Sequence, residues 1–348
     1  MPLVAYKNLP TFSRLQAEGR TVLDTKRAQH QDIREMHIGL LNMMPDAALE
    51  ATERQFFRLI GESNQIAQIF VHPFTLPEIK RSADTQSYIK KYYESFEDIK
   101  KQGLDALVIT GANISQPDLE KEPFWQPLQN VMDWAWDNVS STLCSCLATH
   151  AVMQFKYGQK RSPLPGGKLW GVYRHRVCAR THPLVKHMNT VFDAPHSRHN
   201  TISRAQFEDS GLHILAASQQ AGVHIAVSPD GFRLICFQGH PEYDTVSLMK
   251  EYWRDLALYE EGKLEQPPPY PEHYLSEEAL AVLEGHTGAP DEDLKKRVGD
   301  MLENTWRDSA RSIMASWIGL VYQTTNMDRT QQFMDGIDPN DPLGLGKE

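Results

Sequence analysis

The sequence predicts an α/β protein built on a doubly wound, mostly parallel sheet, and three observations carry that prediction. Short apolar runs alternate with segments of helical period along most of the chain. Several runs stop at Pro or Gly-Ala, where a strand can hand over to a helix. Candidate polar residues cluster just after those stops, the place where open parallel sheets hold ligands.

Residues 36–45 read MHIGLLNMMP, a strand that ends at Pro45, and ALEATERQFFRLIG follows as a helix closed by Gly61. Residues 67–74, AQIFVHPF, give a second strand. YIKKYYESFEDIKKQG is amphipathic, and residues 104–112, LDALVITGA, form a third strand with a Gly-Ala end. PFWQPLQNVMDWAWDN is helical, STLCSC is a fourth strand with a sharp end, and LATHAVMQFKYG resumes a helix. Residues 233–244, RLICFQGHPEYD, make a strand that stops at Gly239-His240-Pro241, before the helix TVSLMKEYWRDLALYEEG. Pro267, Pro268, Pro269 and Pro271 stiffen LEQPPPYPEHY into a connector. An acidic, helix-prone stretch and the tryptophan-bearing TWRDSARSIMASWIGLVYQ come next. The expected organisation is an N-terminal arm (1–34), a main domain (35–326) with a Pro-rich, acidic insertion at about 262–300, and a flexible tail (327–348).

Composition narrows the class. A chain of 348 residues buries roughly 75% of its unfolded surface and needs no disulfide staples. Its four cysteines (Cys144, Cys146, Cys178, Cys236) are too sparse for a secreted framework, so free thiols in a reducing, cytoplasmic compartment are expected. The N-terminus lacks the pattern of a signal peptide, and no run of about 18 apolar residues suggests a membrane span. A net charge of -9 with mixed signs argues against a nucleic-acid partner.

The stretch STLCSCLATHA (141–151) concentrates the chemistry. It can be a buried patch of small residues, half a metal site, or the turn that presents a nucleophilic thiolate. Cys144, Cys146 and His150 would supply three metal ligands, but no fourth lies nearby in sequence, and no metal is expected. At a strand-to-helix turn, Cys146 gains the helix N-terminus, which favours a thiolate. Backbone N–H groups of Leu147 and of Ala112 in the Gly-Ala turn are candidate oxyanion donors. Cys144, two residues earlier, reads as a small hydrophobe of the core. A thiol nucleophile needs a base and the base an orienting acid. GHPEYD offers His240 and Glu242, two apart, which leave the same side of an extended backbone.

These residues resemble a known family. STLCSC before a helix, GKLWGVYRH, APHSRH, GHPEYD and EYWRD occur in the order found in homoserine O-acyltransferases of the homoserine O-succinyltransferase type. LNMMPDAALEATERQFFRLIG and WR…SWIGLVYQTT are similar too, so the resemblance spans roughly residues 35–325. It implies a class I glutamine-amidotransferase-like domain in which Cys146 carries the acyl group as a thioester, His240 is the base and Glu242 its partner. It further implies that Lys168, Ser197 and Arg254 contact the amino-acid substrate, and that a homodimer uses acyl-CoA as co-substrate with no cofactor. The implied activity is succinyl transfer from succinyl-CoA to L-homoserine in methionine biosynthesis, with acetyl-CoA as the alternative donor. The position matching Ser115 sorts donors in the family: a glutamate goes with acetyl-CoA and a small residue with succinyl-CoA, since a carboxylate there would repel the succinyl charge. The chain departs from the family at Leu147 (often Trp), Ala148 (Gly), His150 (Gln) and Asn113 (Pro), changes that bear on pocket walls. A glutaminase is the first rival, but it would usually set its cysteine in a Gly-x-Cys-x-Gly elbow. A non-catalytic binding module is the second, and it would not need the complete triad.

Overall fold

Alternation of apolar residues sets the two faces of the sheet. In the computed structural model, which describes residues 3–20, 22–29, 33–64, 66–286 and 290–347, the strands run in chain order as follows. The first six are β1 (Leu3–Ala5), β2 (Val22–Asp24), β3 (Glu35–Met43), β4 (Gln68–Phe74), β5 (Ala106–Ala112) and β6 (Ser141–Ser145). After them come β7 (Ser162–Pro163), β8 (Leu169–Val177), β9 (Val191–Arg198) and β10 (Asn200–Thr201). The last are β11 (His213–Ser218), β12 (Gly222–Val227) and β13 (Leu234–Phe237). One sheet of 11 strands has the order β2-β1-β4-β3-β5-β6-β13-β12-β11-β8-β9.

From β2 across to β13 every pairing is parallel, and from β13 across to β9 every pairing is antiparallel. The predicted α/β class with a mostly parallel sheet therefore holds, with one correction. Helices do not alternate with strands throughout, because the chain between about 162 and 227 returns as hairpins that lengthen the sheet on one side. Helices cover both faces of the parallel part. Phe56, Phe57 and Ile60 of the helix Asp46–Glu62 and Trp317 of the helix Arg307–Thr324 pack with Leu40, Val108 and Leu143. Leu128 and Val131 of Trp125–Asn138, with Ala148 and Val152 of Leu147–Tyr157, pack on the other face with Leu107, Ile109 and Cys144. Leu143 and its neighbour Cys144 thus serve opposite layers, as the period of two requires.

The N-terminal arm is part of the sheet, since β1 and β2 extend it beyond β4. The Pro-rich connector runs along β8, where Glu272 exchanges hydrogen bonds with Trp170 and Val172 at 2.9 Å. Helices Glu277–Glu284 and Glu292–Asp300 follow it. Residues 1, 2, 21, 30–32, 287–289 and 348 of the arm, insertion and tail lie outside the described residues.

The tail expected to be flexible is docked instead. Met334 N donates to Thr324 O (2.9 Å), and Gln332 Nε2 donates to Trp136 O and Val139 O (both 2.8 Å). Gly103 makes this docking possible, with φ +72° and Arg329 O only 2.1 Å from where a Cβ would stand. Gly103→Ala should therefore cost about 1–3 kcal/mol from backbone strain alone, with a further penalty from the clash. Hydrogen exchange should quicken after residue 326, and unchanged exchange there would contradict this packing.

Candidate active site

Three adjacent parallel strands place the reacting groups. β5, β6 and β13 lie side by side, and their registers pair Ile109 with Cys144 and Ser145 with Phe237. Gly111, Cys146 and His240 consequently emerge at the same carboxyl edge of the sheet. They line one cavity of about 330 Å³ that also receives Lys168, Ser197 and Arg254. The structure therefore brings together every predicted catalytic and substrate-binding residue except Glu242, which stands behind His240.

Cys146 ends β6 with φ 52° and ψ -110°, then opens the helix Leu147–Tyr157. His273 is the other positive-φ residue among the described non-glycines. Such a backbone costs about 1–3 kcal/mol and must be held by its surroundings. Cys146 N donates to Phe237 O at 2.7 Å, and the Thr149 hydroxyl lies 2.8 Å from Cys144 O and 3.0 Å from Phe237 O. These bonds fasten the turn to β13 and aim the thiol out of the sheet. Cys144, by contrast, is fully buried, and burial pushes its thiol well above the ordinary value, which suits a core residue.

His240 Nδ1 lies 2.8 Å from Glu242 Oε1, and its ring also hydrogen-bonds Cys146. Burial alone would lower the imidazole, but the charges of Glu242 and of Cys146 outweigh it and hold His240 well above the ordinary histidine value. The charged imidazolium is the state this favours in His240. The expected extended backbone is corrected here, because residues 240–242 form a turn closed by Tyr243 N to His240 O (3.2 Å). Its anchors are Gly239 N to His224 Nδ1 (3.1 Å) and His240 N to Pro195 O (2.8 Å). A Cβ on Gly239 would stand 2.8 Å from both His196 Nε2 and Pro195 O, so only glycine fits. Tyr243 stacks on the imidazole at 4.3 Å. Beyond the turn, Asp244 is gripped by Arg54 (2.5 Å) and by Arg58, both on the helix Asp46–Glu62.

Lys168, just ahead of β8, and Ser197 on β9 become neighbours because β8 pairs with β9 as Leu169↔Arg198 and Trp170↔Ser197. Both converge on Glu251 Oε2, at 3.4 Å from Lys168 Nζ and 2.6 Å from Ser197 Oγ. Tyr243 OH donates to Glu251 Oε1 at 2.9 Å. Glu251 was missed by sequence reasoning, although it lies one helical turn before Arg254 and so shares its face. Arg254 bonds Asp255 at 2.8 Å and is more than half exposed at the rim.

Also missed were Arg161 and Arg198, two further cations on the cavity wall. Arg198 is tethered through His196 Nδ1 (3.3 Å), Asn200 O (2.8 Å) and Ala221 O (2.6 Å), and burial lowers it to about 10. His150 also lines the cavity, where burial lowers it to about 3, and its Nε2 lies 3.3 Å from Gln238 Oε1. Leu147 and Ala112, whose N–H groups the sequence offers as oxyanion donors, line the cavity with Cys146. Ser115 does not line it. Its N (2.5 Å) and Oγ (3.2 Å) hold the buried carboxylate of Glu122, and it faces an adjoining cleft of about 560 Å³ that shares Asn113 and Ile114 with the cavity. Among the described residues no cluster of His, Cys, Asp and Glu could hold a metal ion.

The raised His240 sets a pH signature. A pKa held above its unfolded value, about 6.5, adds stability that is complete below that value and lost as pH rises through the folded one. Glu242→Gln should therefore lower Tm most at mildly acidic pH, with the gap to wild type closing as pH rises. A gap independent of pH between 6 and 10 would count against the pair.

Comparison with known proteins gives the family. The family model described as homoserine O-succinyltransferase matches residues 2–327. A protein of that name from Allochromatium vinosum is 59% identical, over 99% of each chain. Another, from Thioalkalivibrio nitratireducens, is 58% identical over the whole of both chains. Among solved structures, a glutamine amidotransferase from Thermotoga maritima matches with a TM-score of 0.48 at 11% identity, covering 83% of this chain and 99% of that one. With a family model across most of its length and relatives this similar from end to end, the chain belongs to the homoserine O-succinyltransferase family of acyltransferases.

Proposed function

We propose that the protein transfers the succinyl group of succinyl-CoA to the hydroxyl of L-homoserine, a step of methionine biosynthesis, by a ping-pong mechanism through a thioester on Cys146. The observation that carries this reading is a strained cysteine turn facing a buried His–Glu pair, in one cavity with the cations a carboxylate substrate needs. The reading extends to a cytoplasmic homodimer, which the family resemblance favours. No helix among the described residues is long and apolar enough to cross a membrane.

In the first half-reaction the Cys146 thiolate attacks the thioester carbonyl of the donor. The oxyanion forms against the N–H groups of Leu147 and Ala112. It collapses with cleavage of the bond to the CoA sulfur, which leaves with the proton of His240. In the second, His240, now neutral and oriented by Glu242, takes the proton of the homoserine hydroxyl. The resulting oxygen nucleophile attacks the acyl carbon, and the Cys146 thiolate leaves. One proton leaves His240 and one returns, so the enzyme is regenerated. Arg254 at the rim, with Lys168 and Ser197 deeper in, takes the α-carboxylate and the polar groups of the amino acid in this reading.

Intact-mass measurement after mixing with donor alone tests this directly. A gain of one succinyl group in wild type, abolished by Cys146→Ala and spared by Cys144→Ser, is expected; an adduct that survives Cys146→Ala would remove the nucleophile. Arg254→Lys should raise the homoserine KM while sparing acylation by the donor, because an ammonium cannot reproduce the bidentate fork. A variant weakened only toward acyl-CoA would move Arg254 to the other substrate. His240→Ala should slow both half-reactions by about 10²–10⁴-fold, the usual loss of a general base. Normal acylation and normal transfer in that variant would reject the assignment.

A further inference from the structure

The cavity holds more cationic groups than one amino-acid carboxylate requires, and they differ in what already occupies them. Lys168 lies between Glu251 and Asp255, at 3.4 and 3.7 Å, and Arg254 pairs with Asp255. Arg198 directs its nitrogens at a ring and two carbonyls and is almost wholly buried. Arg161 is different. Among the described residues its side chain makes one hydrogen bond, Nη2 to Pro117 O (3.0 Å), and no carboxylate lies within ion-pair distance of it. It is partly exposed, and it lines the cavity with Cys146, Asn113 and Ile114.

Arg161 shares the cavity wall with Cys146, and its guanidinium is tied to the loop after β5. Pro117 belongs to the loop that leaves β5, and that loop closes on itself through Glu122, which accepts from Ser115 N and from Gln116 N (2.6 Å). This loop also separates the cavity from the adjoining cleft, which opens between the ends of β3 and β5. At that point the chain reverses its direction of travel across the sheet, β4 lying on one side of β3 and β5 on the other. Ligands of doubly wound sheets enter at such a point. Burial weakens the hold of Arg161 on its proton, and the neighbouring carboxylates of Glu122 and Asp118 only partly offset that.

We propose that Arg161 is the receptor for the distal carboxylate of the acyl group, and so the residue that selects a dicarboxylic over a monocarboxylic donor. This rests on the acyl-transfer reading above. A succinyl group on Cys146 Sγ carries its carboxylate two methylenes beyond the thioester carbonyl, and an acetyl group carries none. A guanidinium with donors to spare binds the first and gains nothing from the second. The role of Ser115 follows from the same contacts. A glutamate there would lose the bonds that Ser115 Oγ makes to Glu122, meet Glu122 as a like charge, and offer Arg161 a carboxylate in place of the substrate's. The loop residue then acts through Arg161.

The experiment is to measure kcat/KM for succinyl-CoA, acetyl-CoA and butyryl-CoA in the full chain, as wild type, Arg161→Met and Arg161→Lys. Thermal melts and acylation of Cys146 by acetyl-CoA serve as controls of folding. Arg161→Met should lose at least about tenfold on succinyl-CoA, the loss of a charge-assisted pair, and leave the two uncharged donors unchanged. Arg161→Lys, which retains the charge, should keep an intermediate preference. If Arg161→Met falls equally on all three donors, or keeps the wild-type ratio, the assignment is overturned; so it is if lysine loses the preference as fully as methionine. Wild type that is acylated by no donor would overturn the acyl-transfer reading and this assignment with it. Wild type that prefers succinyl-CoA beside an Arg161→Met that still does so overturns the assignment alone.

Discussion

The backbone of Cys146 is the constraint on which the site depends. A non-glycine residue at φ 52° does not hold that conformation by itself. It is held because its N–H reaches Phe237 O, and the Thr149 hydroxyl lies against the carbonyls of Cys144 and Phe237. The parallel pairing of β6 with β13 thus does two things. It offsets the strain of the nucleophile turn, and it carries the chain after Phe237 to the place where His240 meets the thiol. Cys146 and His240 are positioned by the same pair of strands, so neither can shift without the other.

Electrostatics build on that frame. His240 and Glu242 are both nearly inaccessible to water, which is costly for a charged pair unless each compensates the other. Glu242 Oε2 has no hydrogen-bond partner among the described residues, so its charge bears chiefly on His240. Burial would leave the imidazole neutral, and the Glu242 carboxylate, with Cys146 beside the ring, reverses that. Around them the wall carries Arg161, Lys168, Arg198 and Arg254, with Glu251 dividing the group. A chain with net charge -9 therefore carries a locally basic pocket, one suited to anionic ligands.

Remote elements hold the site by specific contacts. The helix Asp46–Glu62 presents Arg54, Gln55 and Arg58 to Asp244 and Ser247, which fixes the exit of the His240 turn and the start of the helix Ser247–Glu260. That helix carries Glu251 and Arg254 into the cavity. The antiparallel strands on the far side of β13 contribute Ser197 and Arg198 and bring in Lys168. The parallel half leads to Cys146 and His240, and the antiparallel half supplies part of the cavity wall around them.

Local pattern was enough for the α/β class, the strand running up to Cys146, the helix after it, and the choice of Cys146, His240 and Glu242 as candidates. Each of these rests on neighbours within a few residues: a strand period, a helix start, two side chains in one short motif. Lys168, Ser197 and Arg254 came from motif resemblance, and their convergence on Glu251 was not legible because it depends on the β8–β9 register and on a helix about 50 residues away. The antiparallel strands were not seen for the same reason, since pairing partners are chosen across the chain. The docking of the tail turns on Gly103 and Arg329, 226 residues apart in sequence, whose contact no local signal announces. Ser115 shows the limit most clearly: its identity is plain from sequence, but its partner Glu122 and the proximity of Arg161 exist only once the loop after β5 is closed. Sequence determines which residues have the chemistry, because that is a property of each side chain, while tertiary structure decides which of them share a cavity, because that distance is set by pairing and packing.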